Sequence, residues 1–278
     1  MPFIDTHCHY NLDPLYENWP THWQKAQAEG INQSLVVGAD QLSCQRALEI
    51  TQTEPHLWIS LGFHPEVYDI RVTQKTSASE LAEQLNQDLT WLKATAFQAG
   101  KKLVAIGETG LDYYYFNPAE TDLNQLKIQA QTAAFIAQIH LANELQLPLI
   151  VHSRDRDEQA YRDILKLLKT HYKFNRPFVL HCASGPLDYI SEAIELGAYI
   201  GFDGNLTYKK NQNLVEIFQA TPPNRRLLET DAPFLPPQSF RGQTCEPWMV
   251  RLTAEFIQQQ LQIDPEQLTQ NALDCFNQ

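Results

Sequence analysis

The chain has 278 residues, 43% of them hydrophobic and 19% charged, with a formal net charge of −12 at pH 7. Such a composition excludes an intrinsically disordered chain, no run approaches the roughly 18 apolar residues of a membrane span, and the acidic balance excludes a broad basic face that would coat duplex nucleic acid. The opening Met1-Pro2-Phe3-Ile4-Asp5 lacks a basic segment followed by an apolar stretch, and the five cysteines have no zinc-finger spacing, so reduced thiols in a cytoplasmic protein are expected.

Eight short apolar runs read as strands: Pro2–His7, Gln33–Gly38, Leu57–Gly62, Leu103–Glu108, Leu149–His152, Phe178–His181, Ala198–Phe202 and Arg226–Glu229. Each is bounded by turn residues and is too short for a helix. Several are apolar without alternation, as in strands buried on both faces. Helical spacing fills the gaps. From His64 to Gly100 the chain is irregular, but Ser77 with Glu80 three residues on marks a helix start. A second helical stretch runs from Ala119 to Leu145 with Pro148 beyond it. Tyr161, Ile164, Leu165 and Leu168 form one apolar stripe, and Leu187, Ile190, Ala193 and Ile194 another, which Gly197 is placed to end. Strands alternating with helices imply parallel pairing and right-handed crossovers. Eight such units predict an α/β fold, a single (β/α)8 TIM-type barrel over residues 1–278; an open doubly wound sheet is the alternative.

Reactive groups of such a barrel sit at the carboxyl ends of its strands. The first run ends in His7-Cys8-His9, the third leads into His64-Pro65, the fourth ends in Glu108, the fifth in His152, the sixth in His181, and the eighth leads into Asp231. Residues i and i+2 of a strand share a face, so His7 and His9 can chelate one cation. His152 and His181, from neighbouring strands, can chelate a second, and Glu108 can bridge the two. Two cations so placed activate water and clamp the oxygens of a phosphoryl group. Magnesium, manganese and zinc are the candidate divalent ions, iron also suits histidine with carboxylate, and magnesium prefers oxygen-rich sites.

Other residues near these ends have two readings each. Arg154 can pair a phosphate or form a surface ion pair with Asp155 or Asp157. Tyr113, Tyr114, Tyr115 and Phe116 can stack a base or pack a loop, and packing is expected. Arg241 is expected to brace its loop. Strand alternation turns Cys8 and Cys182 away from the metal face, and His22, His56, His140 and His171 fall in helices or connections.

In these same segments the sequence resembles the TatD family of metal-dependent hydrolases, among the amidohydrolase-like barrels. The matching stretches are Ile4-Asp5-Thr6-His7-Cys8-His9, Gly62-Phe63-His64-Pro65, Gly107-Glu108-Thr109-Gly110-Leu111-Asp112-Tyr113, Leu147 to Arg154, His181 to Gly185, Gly201 to Gly204 and Leu228 to Pro233. Arg241-Gly242 and Glu246-Pro247 follow. Ala183 stands where members often carry Phe, and Cys245 where Asn is usual, which bears on substrate fit. The resemblance implies a deoxyribonuclease-type hydrolase with His7, His9, Glu108 and Asp231 on one ion and Glu108, His152 and His181 on the other. It implies that Asp231 orients or deprotonates the attacking water and that His64 donates to the substrate phosphate. DNA is then the expected partner, as single strands or frayed ends cut exonucleolytically, with no membrane and no obligatory protein partner. A small phosphoester, lactone or amide is the alternative substrate, and a metal-stabilised binding module the non-enzymatic one.

Overall fold

The computed structural model describes residues 3–73 and 76–276. Eight parallel strands follow one another in chain order: β1 (Phe3–Cys8), β2 (Ile31–Val37), β3 (Leu57–Leu61), β4 (Leu103–Asp112), β5 (Leu149–Arg154), β6 (Phe178–Leu180), β7 (Tyr199–Phe202) and β8 (Arg226–Leu228). The chain just past β8 returns to β1: Asp231 N–H donates to His7 O at 2.9 Å and His9 N–H to Ala232 O at 2.8 Å. That seam makes a (β/α)8 TIM-type barrel, and the open doubly wound sheet is ruled out. Pro2, placed in the first strand by sequence, lies outside the described residues.

Two apolar layers hold the ring. Inside its amino end, Ile4, Leu35, Val37, Val104, Ile150 and Leu227 meet Ala272, Cys275 and Phe276 of a terminal helix, Glu266–Phe276, which plugs the floor. Fully burying one such large side chain stabilises by roughly 1.5–3 kcal/mol. Outside, the strands pack against helices whose stripes follow the sequence pattern. In the helix Gln159–His171, Tyr161, Ile164, Leu165 and Leu168 are all buried. The helix Leu187–Glu195 ends as expected at Gly197 (φ 98°), where Gly197 N–H bonds Ile194 O and Ala198 N–H bonds Ala193 O. Those two bonds form a Schellman motif.

The stretch after His64 resolves into two helices, Pro65–Arg71 and Ala78–Ala99. Ser77 caps the second, accepting from Glu80 N–H while Glu80 accepts from Ser77 N–H. The long helix expected after residue 119 runs Thr121–Leu145.

β4 differs from expectation. It continues four residues beyond Glu108, pairing Thr109 to Asp112 with Val151 to Arg154 of β5 across a register shift. Gly110 (φ 149°) permits this: a Cβ there would lie 2.0 Å from the His152 carbonyl oxygen. The extension sets Asp112 directly opposite Arg154. Among the described residues no helix is long and apolar enough to cross a membrane.

Candidate metal centre

Six side chains predicted as ligands meet at the carboxyl-end mouth. His7 and His9 leave the end of β1 with their Nε2 atoms 3.2 Å apart. Glu108 Oε2 lies 3.4 Å from His7 Nε2 and 3.7 Å from His9 Nε2, and Asp231 Oδ1 lies 3.7 and 3.3 Å from the same atoms. On the other side of Glu108, its Oε1 is 2.9 Å from His152 Nδ1 and 3.3 Å from His181 Nε2. The His181 ring stacks on His7 with centroids 3.7 Å apart. Asp231 reaches this point from a left-handed backbone (φ 56°), a conformation Asp tolerates better than most residues.

For four of the imidazoles, the partner of one ring nitrogen fixes how the other is presented to the site. His9 Nδ1 lies 2.9 Å from Val37 O, an acceptor, so Nδ1 carries the proton and Nε2 keeps its lone pair. His181 Nδ1 lies 3.3 Å from Glu229 Oε1, which likewise leaves Nε2 toward Glu108. His152 Nε2 is held by Asp112 Oδ2 at 3.1 Å, turning Nδ1 inward. His64 is the opposite case: its Nδ1 accepts from Glu66 N–H at 3.2 Å, capping the helix that begins at Pro65. The neutral ring must then carry its proton on Nε2, which faces Glu108 Oε1 at 3.7 Å. His64 is built to donate. One ring nitrogen thus supports the turn into Pro65 while the other faces the candidate site.

Charge follows these contacts. Burial alone would raise the Glu108 carboxyl, yet His181 and His152 hold it well below the usual carboxylate range. Burial opposes protonation of His181, but Glu108 and Glu229 outweigh it and push the ring well above an ordinary histidine. His152 is raised in the same way, burial opposing and Asp112 and Glu108 prevailing. His7 is lowered by burial and by the neighbouring His181. Protons on imidazole thus balance the carboxylates. Among the described residues, the groups able to hold an ion include His7, His9 and Asp231, and His7, Glu108 and His181. Two imidazoles and one carboxylate in each set fit a divalent cation of the zinc, manganese or iron type. Residues and group are compatible.

The mouth opens into a cleft of about 610 Å³ lined by His9, His64, Glu108, His152, His181 and Asp231 and by Arg154, Cys182, Asn205 and Phe234. Arg154 enters it, but its partner is Asp112 (Nε 2.8 Å, Nη2 2.7 Å from Oδ2), not Asp155 or Asp157. Cys8 packs in the outer core as expected. Cys182 does not turn away: β6 has ended, the residue is left-handed (φ 48°), and strand alternation no longer applies. Arg241 stacks 4.8 Å from the Tyr208 ring, bracing its loop. His22, His56, His140 and His171 lie elsewhere, the first two beside Glu246 and Glu54 and the last two against each other.

Sequence reasoning missed three supporting carboxylates. Asp112 holds His152 and Arg154 together. Glu229 is fully buried beside His181 and also accepts from Cys182 N–H. Asp5 accepts from Thr230 N–H and Thr230 Oγ–H at 3.0 and 2.7 Å, anchoring the segment that carries Asp231 to β1. All three lie inside quoted motifs, and their only early signal was an acidic residue in an otherwise apolar strand environment.

Comparison with known proteins gives a consistent result. The profile described as TatD related DNase matches residues 4–278. The chain is 32% identical over 277 residues to an uncharacterized metal-dependent hydrolase of Bacillus subtilis, YabD, covering 98% of each chain. It is 33% identical over 215 residues to a protein of Citrobacter rodentium named 3'-5' ssDNA/RNA exonuclease TatD, covering 77% of this chain and 72% of that one. Among solved structures, the TatD homologue YjjV of Escherichia coli superposes with a TM-score of 0.78 at 29% identity, covering 99% and 98% of the two chains.

Proposed function

The chain belongs to the TatD related DNase family of metal-dependent hydrolases, and from that premise we propose that it cuts phosphodiester bonds of DNA, removing nucleotides from single-stranded or frayed ends. In this reading His7, His9, Glu108 and Asp231 hold one divalent ion, and Glu108, His152 and His181 hold a second. Bound there, the ions supply Lewis acidity, making water a competent nucleophile at neutral pH and neutralising charge on the phosphoryl oxygens.

The protein's own groups do the rest. Burial would raise the Asp231 carboxyl, but His9, His181 and His7 hold it below the ordinary value, so it is ionised and can take a proton from the attacking water. His64 is kept neutral, its pKa lowered to about 3 by burial and by His152. It therefore offers a fixed Nε2–H to a phosphate oxygen without adding repulsion among the histidines. Arg154, oriented by Asp112, presents a second donor set for the same phosphate or its neighbour. Five free cysteines, four of them buried, suit a reducing cytoplasmic setting.

The observation carrying this reading is the convergence of six side chains from the carboxyl ends of β1, β4, β5, β6 and the chain after β8 on one mouth, with Val37 O and Asp112 fixing the outer nitrogens of His9 and His152 and Glu229 standing against that of His181. The C. rodentium relative, named for single-strand exonuclease activity, supports the substrate class. A cleft of about 610 Å³ also accepts a small phosphoester, lactone or amide. The deciding experiment strips the protein of metal, reloads it separately with magnesium, manganese and zinc, and follows single strands labelled at either end. Asp231→Asn and His152→Ala proteins run beside it. Labelled strands left intact under every metal while a small ester is turned over would transfer the activity to that alternative.

A further inference from the structure

The four aromatic residues after β4 divide into two pairs with different surroundings. Tyr113 is buried, stacks on Phe116 with centroids 5.1 Å apart and nearly parallel, and hydrogen-bonds Asp163. That pair packs the loop. Tyr114 and Tyr115 do not join it. They meet edge to face at 5.0 Å, and Tyr115 is 70% exposed.

What these two rings face is cationic. The Arg154 guanidinium carbon lies 5.3 Å from the Tyr114 ring and 4.8 Å from the Tyr115 ring, and the exposed Arg156 stacks on Tyr114 at 4.3 Å. Lys127 lies 5.8 Å from the Phe116 ring alongside. The nearby Asp155 is occupied by backbone: it accepts from the N–H groups of Arg156, Asp157 and Ala160. A continuous series of contacts then runs inward, from Tyr115 to Arg154, to Asp112, to His152. On a protein of net charge −12, the two guanidinium groups lie one step outside the candidate ligands, with the exposed Asp157 and Glu158 following Arg156 in the chain.

Resting on the phosphodiesterase reading above, we propose that Tyr114, Tyr115 and Arg156 form a binding subsite for the part of a single strand that stays outside the cleft. The exposed face of Tyr115 stacks a base, and Arg156, pre-oriented on Tyr114, pairs a backbone phosphate. Arg154 links this subsite to the phosphate being cut. Stacking on an aromatic ring is tolerant of base identity, so the subsite selects for strand length and single-strandedness and reads no sequence. It also explains how an acidic protein can grip a polyanion: the contact is short, aromatic and confined to the mouth.

The test uses the full chain reloaded with whichever metal supports turnover. Oligothymidylates of two to eight nucleotides are compared with dimethyl phosphate's chromogenic analogue methyl p-nitrophenyl phosphate, a diester with no strand beyond the bond that is cut. For the unaltered protein, kcat/KM rises with length over the first few nucleotides and then levels. In Tyr115→Ala and Arg156→Ala proteins that rise is flattened, with KM for the longer strands up about tenfold each, from the loss of one stacked base or one charge pair. Tyr115→Phe, which keeps the ring, restores the rise. An undiminished length dependence in both alanine variants overturns the subsite while leaving the phosphodiesterase reading in place. An equal loss on the small diester and the long strands also overturns it, because that pattern marks loop damage. No cleavage of any strand by the unaltered protein, with the small diester still hydrolysed, brings down both.

Discussion

Glu229 Oε1 stands 3.3 Å from Nδ1 of His181, and both side chains are buried. The carboxylate fits because residue 201 is glycine: a Cβ there would sit 2.2 Å from Glu229 Oε2. Disturbing an outer partner of a metal-binding histidine typically weakens the metal by roughly 10–100-fold. Gly201→Ala and Glu229→Gln are therefore expected to lower metal affinity by that order, although neither residue is a candidate ligand. Competition against a chelator, with circular dichroism to check folding, measures it. Folded variants with unaltered affinity would refute the positioning role.

His64 should separate catalysis from metal binding. Asparagine retains an acceptor for Glu66 N–H and so keeps the helix cap, but its side chain is too short to donate where Nε2 does. The His64→Asn protein is expected to lose about 10²–10³ in kcat, the usual cost of removing one donor to a developing oxyanion. Metal content, read by elemental analysis, should be unchanged. A parallel fall in bound metal would make His64 a ligand.

Metal uptake should release protons. His181 and His152 hold raised pKa values because they sit against Glu108, Glu229 and Asp112, and a cation must displace those protons. Titration calorimetry in two buffers of different ionisation enthalpy should show release on the order of one proton per ion at neutral pH. Affinity should fall as pH drops from 8 to 6. Chelation should lower Tm reversibly, since saturating metal at a hundredfold excess over Kd stabilises by about 2.7 kcal/mol. Affinity independent of pH would show that the imidazoles bind the ion already deprotonated.

Asp69 on the helix Pro65–Arg71 has its pKa raised to about 6 by burial, despite the bond it accepts from Gln131 Nε2 at 2.7 Å. A carboxyl with a raised folded value favours the native state when protonated, so its contribution is complete below about pH 4 and is lost as pH climbs through 6. Asp69→Asn keeps the Gln131 bond and removes the titration. It should match wild-type Tm near pH 4 and exceed it at pH 7.5 by a few degrees, about 1 kcal/mol after allowing for solvent screening. Identical Tm differences at both pH values would contradict the assignment.

The strands were legible because each is an apolar run between turn residues, and the ligands because histidines and acids end those runs. Tertiary partnership was less legible. The pairing of Arg154 with Asp112 depends on β4 running past Glu108, which a local pattern of Thr-Gly-Leu-Asp does not announce. Cys182 faces the cleft because one left-handed residue cancels the alternation rule. Glu229 and His181 are 48 positions apart, and nothing local in either segment joins them. The four aromatics after β4 looked alike in sequence, yet two pack inward and two do not, a distinction made by which of them Arg154 and Arg156 approach.

The seam between β1 and the chain beyond β8 has one more implication. His7, His9 and Asp231 form the backbone bonds that shut the ring and also stand at the candidate ion site. Vectorial synthesis delivers His7 early and Asp231 more than two hundred residues later, so a nascent chain carries half a chelate until its last strand emerges. If a cation binds there, it would be held only once the ring has closed, a clasp that a completed barrel alone can fasten.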